Sequence, residues 1–280
     1  MKGCVYNLKE RYTEHTKPFS YITSPLFDKY GVPHAFTRRG GGVSEGVYSS
    51  LNFAAGGGED ADKWENVVQN HRIAASLFGL TEKDVCRTNQ THSTTVLAVD
   101  AGYKGTGIVT PPFPEGVDGL VCRERDMLLT VRGADCVTLL FYDTKRDIYG
   151  ACHSGWRGTA GKISVATIEA MRSMGAAADD IIVAIGPSVG GCCYTVGGEV
   201  KNAFLEADGD FAACFRQEEK GTVLNLQKAV EISLIKAGVK EENISDCGEC
   251  TVCDGGKHYF SHRLCGNKRG TMAAFIKGKE

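Results

Sequence analysis

Three short segments of the 280-residue sequence each carry a side chain able to bind a metal where a loop meets a strand. They are Asn89-Gln90-Thr91-His92-Ser93, Arg132-Gly133-Ala134-Asp135-Cys136 and Cys152-His153-Ser154-Gly155-Trp156-Arg157-Gly158. Imidazole and thiolate are the preferred donors for zinc, and three protein ligands leave a fourth position open for chemistry. The segments are far apart in sequence, and a lone histidine ahead of a strand is more often a structural residue than a ligand. Asp135 beside Cys136, and Asp118 at the start of another strand, can orient a histidine or act as acid or base. Alone, Asp118 reads better as a turn or cap residue.

Arg157 follows His153 and precedes a helix, whose N-terminal N–H groups suit an anion. A guanidinium there clamps phosphate or carboxylate with two hydrogen bonds. The alternative is a solvated surface arginine. The run Gly155 to Ile163 only faintly resembles a P-loop, because Ile163 stands where Ser or Thr binds magnesium. A second group, Cys247, Cys250 and Cys253 with Cys265 further on, contains two overlapping C-x-x-C spacings. They suit a structural zinc or an iron–sulfur cluster. The adjacent pair Cys192-Cys193 reads as small buried residues.

These groups need a scaffold. Asp60 or Asp62 can cap a helix with apolar face Trp64, Val67, Val68, Ala75 and Phe78, stopped at Gly79. Strands are predicted at 95–99, 119–122, 127–131, 137–142, 148–152, 181–185, 258–261 and 272–276. Helices are predicted near 160–174, 199–207 and 226–237, the last stopped by Gly238. Strands outnumber a simple βαβ alternation, so the expectation is mixed sheets with flanking helices. No linker or repeat divides the chain, and residues 1–280 are expected to form one domain.

The hydrophobic fraction of 42% supports a sizeable core. A net charge of −2 with interleaved signs gives no basic stripe for nucleic acid and no charge-driven membrane partner. The first ten residues carry charges where a signal peptide has its apolar segment, so a cytoplasmic location is expected. In that reducing compartment the twelve cysteines read as buried thiols, metal ligands or catalytic groups.

Taken in order, the segments form a wider pattern. Phe36-Thr37-Arg38-Arg39-Gly40-Gly41-Gly42-Val43-Ser44, Ser50-Leu51-Asn52-Phe53, Gln90-Thr91-His92 and Asp118-Gly119-Leu120-Val121 come first. Ala134-Asp135-Cys136, His153-Ser154-Gly155-Trp156-Arg157-Gly158, Ile185-Gly186-Pro187-Ser188-Val189-Gly190, Cys250-Thr251-Val252-Cys253 and Phe260-Ser261-His262-Arg263 follow. From about residue 36 to 276 the chain resembles the YfiH-like family. This family is also called the laccase-domain or multicopper polyphenol oxidase family, and is described as purine nucleoside phosphorylases.

The resemblance implies an α+β fold with two mixed β-sheets between helical layers, and a zinc ion held by His92, Cys136 and His153. It implies phosphorolysis of adenosine, inosine, guanosine and methylthioadenosine, with hydrolytic deamination of adenosine. Bound zinc lowers the pKa of water to about 7, which suits deamination. Phosphate is expected near Arg157 and Arg38, and Asp135 is a candidate for protonating the leaving base or orienting water. Ser188, where Cys is usual, and Thr195, where Glu is common, depart from the family pattern; Cys247 and Cys265 look like additions. Purine nucleosides and phosphate are the expected partners of a monomeric enzyme. Three alternatives stand beside this reading. One is a copper-dependent phenol oxidase, although a single N/S site lacks the histidine-rich clusters a multicopper centre needs. Another is a metal-free hydrolase with Cys136 as nucleophile and His153 as base. The last is a metal-sensing or redox protein built on Cys247 to Cys265.

Overall fold

The computed structural model describes residues 11–56 and 61–279. Its strands form two six-stranded mixed sheets and a small hairpin. The first sheet runs, edge to edge, Thr13–His15, Tyr21–Thr23, His34–Thr37, Met272–Ile276, Leu128–Gly133 and Val85–Arg87. The second runs Ile244–Asp246, Ile181–Ile185, Val137–Asp143, Tyr149–Ser154, Gly119–Cys122 and Val96–Ala98. Most neighbours are antiparallel, with parallel pairs at the Val85, Val96 and Ile244 strands.

Side-chain parity explains the layering. Along Val137–Asp143, Leu140 and Tyr142 face the first sheet, while Val137, Leu139 and Phe141 face helices. Successive side chains point to opposite faces of a strand, so a strand covered on both faces reads as a continuous apolar run. Met272–Ile276 behaves likewise: Ala274 and Ile276 enter the inter-sheet core, Ala273 and Phe275 pack toward Trp64–Ser76. The outer core of the second sheet is closed by Ile163–Ser173, Gly198–Ala207 and Leu226–Lys236. The order is helix, sheet, sheet, helix, the α+β arrangement expected from the sequence.

Several boundaries differ from the expectation. Lys63 is the N-cap of the Trp64 helix, and Asp62 instead accepts hydrogen bonds from Ser44, Asn52 and Asn66; Asp60 lies outside the described residues. Trp64 faces outward under the Arg87 guanidinium. The helix expected near 160–174 is split into Trp156–Ala160 and Ile163–Ser173, with Lys162 at φ 62° between them. Residues 258–261 form no strand, because the Asp254 carboxylate takes the N–H groups of His258 and Tyr259 and curls the chain. Short strands at Thr13, Tyr21, His34, Val85 and Ile244 had no sequence expectation. Three or four residues are too few to display an alternating pattern. Among the described residues, no helix is long and apolar enough to cross a membrane.

Candidate metal centre and cleft

The site forms where the chain crosses between the sheets. Residues 88–95 lead from Val85–Arg87 in the first sheet to Val96–Ala98 in the second, and carry His92. Residues 134–136 make the same crossing from Leu128–Gly133 to Val137–Asp143, and carry Cys136. His153 is on the adjacent strand, paired in register with Thr138. The donor atoms of His92, Cys136 and His153 all lie within 4.8 Å of one another. Cys136 Sγ is 3.9 Å from His92 Nε2.

Asp118 aligns both histidines. Gly119 pairs with Cys152 across antiparallel strands, which puts Asp118 opposite His153. The fully buried carboxylate accepts from His153 Nδ1 at 2.8 Å, from the backbone N–H of Thr91 at 3.0 Å, of His92 at 3.1 Å and of Ser93 at 2.8 Å, and from the Ser93 hydroxyl at 2.8 Å. His92 is held at φ 63°, a left-handed conformation that non-glycine residues rarely adopt. The Asp118 cradle explains how it persists. The turn-or-cap reading of Asp118 is thus too modest: it fixes one ligand ring and the loop of the other. Burial opposes its ionisation, but His153 and the surrounding donors win and hold its carboxyl well below the usual range.

With Nδ1 engaged, His153 presents Nε2 to the centre. Burial alone would lower the His153 pKa, yet the neighbouring Cys136 and Asp118 raise it to about 9. Burial alone would raise the Cys136 thiol, yet the two imidazoles bring it down to about 6. The site therefore favours a thiolate, the form that binds metal. Space points the same way. A Cβ on Gly155 would come within 2.6 Å of His92 Cδ2 and 3.1 Å of Cys136 Sγ, so only glycine lets the ligands converge. Two imidazoles and one thiolate fit a borderline-soft divalent ion with an open position.

Two cavities meet at these ligands, sharing His92, Cys136, Ala134, Asn267 and Arg269. The larger, about 700 Å³, is walled by Trp156, Val189, Tyr194 and Leu226, with Asp135 and Arg263. The other, about 540 Å³, is lined by Gln90, Arg132, Asn267, Arg269 and Thr271. It carries the cleft's buried positive charge. The Nε atoms of Arg132 and Arg269 are buried without a hydrogen-bond partner. Burial lowers the Arg132 pKa to about 10, and nearby Arg269 adds to the effect. Underpaired buried guanidiniums call for an anion. Arg132 opens the segment that carries Cys136 and Arg269 lies outside the quoted segments; neither has a local pattern that marks an anion site. Gln90 secures the wall by accepting from Arg132 N–H and donating to Arg132 C=O, both at 2.8 Å.

The other candidates are placed as follows. Asp135 lines the larger cavity at φ 89°. Its two carboxylate oxygens accept from Thr251 Oγ1 at 2.5 Å and Arg263 N–H at 2.6 Å, and its carbonyl from Val189 N–H at 2.8 Å. It ties three loops to the site. Arg157 is exposed at the rim, its guanidinium 4.2 Å from the centre of the Trp156 ring. It sits in the first turn of the short Trp156–Ala160 helix. Arg38 does not line either cavity: it is buried against Glu14, Glu249 and Tyr259, and burial is overcome by those partners, so its charge is already matched. The expected cysteine cluster also changes membership. Cys247 is in the inter-sheet core and Cys265 is exposed on a four-residue helix, whereas Cys250 and Cys253 converge with Cys192 and Cys193.

An α+β scaffold with a His₂Cys centre at the junction of an aromatic and an arginine-lined cavity defines a class of enzyme-like, metal-competent cleft proteins. Residues 33–279 match the family described as multi-copper polyphenol oxidoreductase laccase, and the chain belongs to that family. It is 36% identical over 247 residues to a purine nucleoside phosphorylase of Deinococcus radiodurans, covering 88% of each chain. It is 34% identical over 266 residues to the purine nucleoside phosphorylase LACC1 of Mus musculus, covering 92% of this chain but 58% of the longer mouse protein. The crystal structure of YlmD from Geobacillus stearothermophilus superposes with a TM-score of 0.83 at 30% identity, covering 95% of this chain and 99% of that one.

Proposed function

We propose that this chain is a zinc-dependent purine nucleoside phosphorylase acting on adenosine, inosine, guanosine and methylthioadenosine, with adenosine deaminase activity. The single observation that carries the reading is the two-part cleft: Arg132 lines the cavity on one side of the His92–Cys136–His153 centre, Trp156 and Tyr194 wall the other, and underpaired Arg269 lies where the two meet. Relatives named purine nucleoside phosphorylase and a 32% identical protein named adenosine deaminase RL5 support the same chemistry.

His92, Cys136 and His153 would hold the zinc, which supplies Lewis-acid charge in the cleft. Trp156 and Tyr194 offer ring faces and edges to a purine. Burial, above all, pushes the Tyr194 hydroxyl up to about 12, so it stays neutral. Arg132 and Arg269 hold phosphate, and Asn267 and Thr271 line the same recess. A phosphate oxygen then forms a bond to the sugar C1′ while the C1′–N9 bond breaks and its electron pair leaves with the base. The proton of hydrogen phosphate ends on the departing base, so the balance needs no outside acid. Asp135, already accepting two short hydrogen bonds, positions the Thr251 and Arg263 loops rather than supplying that proton. In deamination the oxygen of water bonds to C6 of adenine and the 6-amino group leaves as ammonia, giving inosine without phosphate.

Incubation of the purified protein with adenosine, with and without phosphate, tests the reading. The expected products are adenine and ribose 1-phosphate only with phosphate, and inosine in both cases. Phenol oxidation by copper-loaded protein without nucleoside turnover would reject it. A second reading, a cysteine hydrolase, is favoured by the Asp118–His153–Cys136 alignment, which matches an orienter, base and nucleophile. Cys136→Ser separates the two: loss of the cleft zinc together with activity supports the metal centre, whereas an unchanged zinc content with no activity supports the nucleophile.

A further inference from the structure

Outside the cleft, four cysteines from two loops converge. Cys192 and Cys193 follow the strand Ile181–Ile185, and Cys250 and Cys253 follow Ile244–Asp246, its parallel neighbour. Parallel pairing sends both chains out at the same sheet end, so residues 60 positions apart meet. The four sulfurs lie within 4.8 Å of one another. Cys253 Sγ is 3.4 Å from both Cys192 Sγ and Cys193 Sγ, well beyond the roughly 2.05 Å of a disulfide bond.

We propose that Cys192, Cys193, Cys250 and Cys253 bind one zinc ion through four thiolates, a structural site separate from the catalytic cleft. The donor set is the S₄ type that zinc takes in closed, structural sites. Each thiol gives up its proton to solvent as the ion enters, and no electron is transferred. Two backbone donors converge on one of the four sulfurs: the N–H groups of Gly190 and Cys253 point at Cys250 Sγ at 3.2 and 3.5 Å. Donors of this kind orient metal-bound sulfur and offset its charge. Cys250 is buried and Cys253 exposed, which gives the ion a path in.

The position gives the site a purpose. Ser188 and Thr251 already join the two loops through Thr251 N–H to Ser188 C=O at 3.0 Å. From those loops Val189 and Thr251 donate to Asp135, and Val189 and Tyr194 wall the larger cavity. A four-thiolate ion there staples the cleft wall to the end of the second sheet.

The test uses cobalt as a spectroscopic probe on the Cys136→Ser background, which removes the only thiolate among the described residues that line the cleft. Protein freed of metal is titrated with Co²⁺ under anaerobic conditions with a phosphine reductant. One equivalent should bind with strong sulfur-to-cobalt charge transfer and intense tetrahedral d–d bands. Adding Cys253→Ser should weaken that affinity at least tenfold and reduce the charge-transfer intensity; Cys253 is exposed, and circular dichroism checks that the double variant is folded. Zinc should displace the cobalt stoichiometrically. Absence of the charge-transfer band in Cys136→Ser, or an unchanged spectrum in the double variant, overturns the proposal. Because the background already lacks Cys136, the outcome does not depend on whether the cleft binds metal.

Discussion

His153 Nδ1 lies 2.8 Å from Asp118 Oδ1, and the same carboxylate holds the backbone of the loop that carries His92. One buried acid thus sets two of three prospective metal ligands. Asp118→Asn keeps the size but replaces one acceptor oxygen with an N–H₂ donor among N–H groups. Zinc affinity should fall about 10- to 100-fold, and the fold should lose about 2–3 kcal/mol from buried donors left unpaired. Competitive chelator titration and thermal melting check the two effects. Wild-type zinc affinity would mean that Asp118 supports structure alone.

Gly155 separates crowding from backbone strain. Its φ of −70° suits any residue, but an added Cβ meets His92 and Cys136. Gly155→Ala should therefore leave secondary structure, cooperative unfolding and the four-thiolate ion in place while removing the cleft zinc and the turnover. Metal analysis beside circular dichroism decides this. Retention of the cleft zinc beside the four-thiolate one would show that the ligands converge elsewhere.

The arginines make different predictions. Arg269 has a buried, unpartnered Nε in the cleft, whereas Arg157 is exposed at the rim over Trp156. Lysine retains charge but loses the planar fork that grips two oxygens. Arg269→Lys should raise the phosphate KM about 10- to 100-fold, the loss of a charge-assisted hydrogen bond, and affect deamination less. Arg157→Lys should have a smaller effect on phosphate. Kinetics of both reactions on both variants check the assignment, and a larger phosphate effect from Arg157 would move the anion to the rim.

A pH prediction comes from the core. His71 is fully buried between Phe53 and Phe275, with Nδ1 on the Val67 carbonyl and Nε2 unpartnered. Burial, reinforced by Arg87, lowers its pKa to about 3. An unfolded histidine titrates near about 6.5, so the unfolded chain binds the extra proton between the two values. Stability is full above about pH 6.5 and falls by about 1.4 kcal/mol per pH unit below it until the folded pKa is reached. His34, lowered to about 4 mainly by burial, adds a second proton over part of that window. His71→Leu should make the acid limb shallower by one proton while leaving neutral-pH stability nearly unchanged. Denaturant melts from pH 7 to 4 measure this, and an unchanged slope would assign the acid sensitivity to other groups.

The sequence by itself determined the pieces with a local signature. Long apolar runs such as residues 137–142 marked strands covered on both faces, because a strand's burial is written in its own side chains. The segments around His92, Cys136 and His153 were legible through residue type and the family resemblance, as was the layered α+β class. Short edge strands and the 258–261 turn were not, since partners distant in sequence decide them.

Tertiary structure alone decided how those pieces serve one another. Asp118 became a ligand-orienting acid because antiparallel register sets it opposite His153. Arg38 was withdrawn from the cleft by Glu14 and Glu249, while Arg132 and Arg269 were brought in with their Nε atoms unpartnered among the described residues. Cys192 and Cys193 displaced Cys247 and Cys265 from the thiol cluster because parallel pairing of two strands delivers their loops to one end of a sheet. Charge pairing and sulfur convergence depend on distances across the fold, and a linear spacing carries no such distance once dozens of residues intervene.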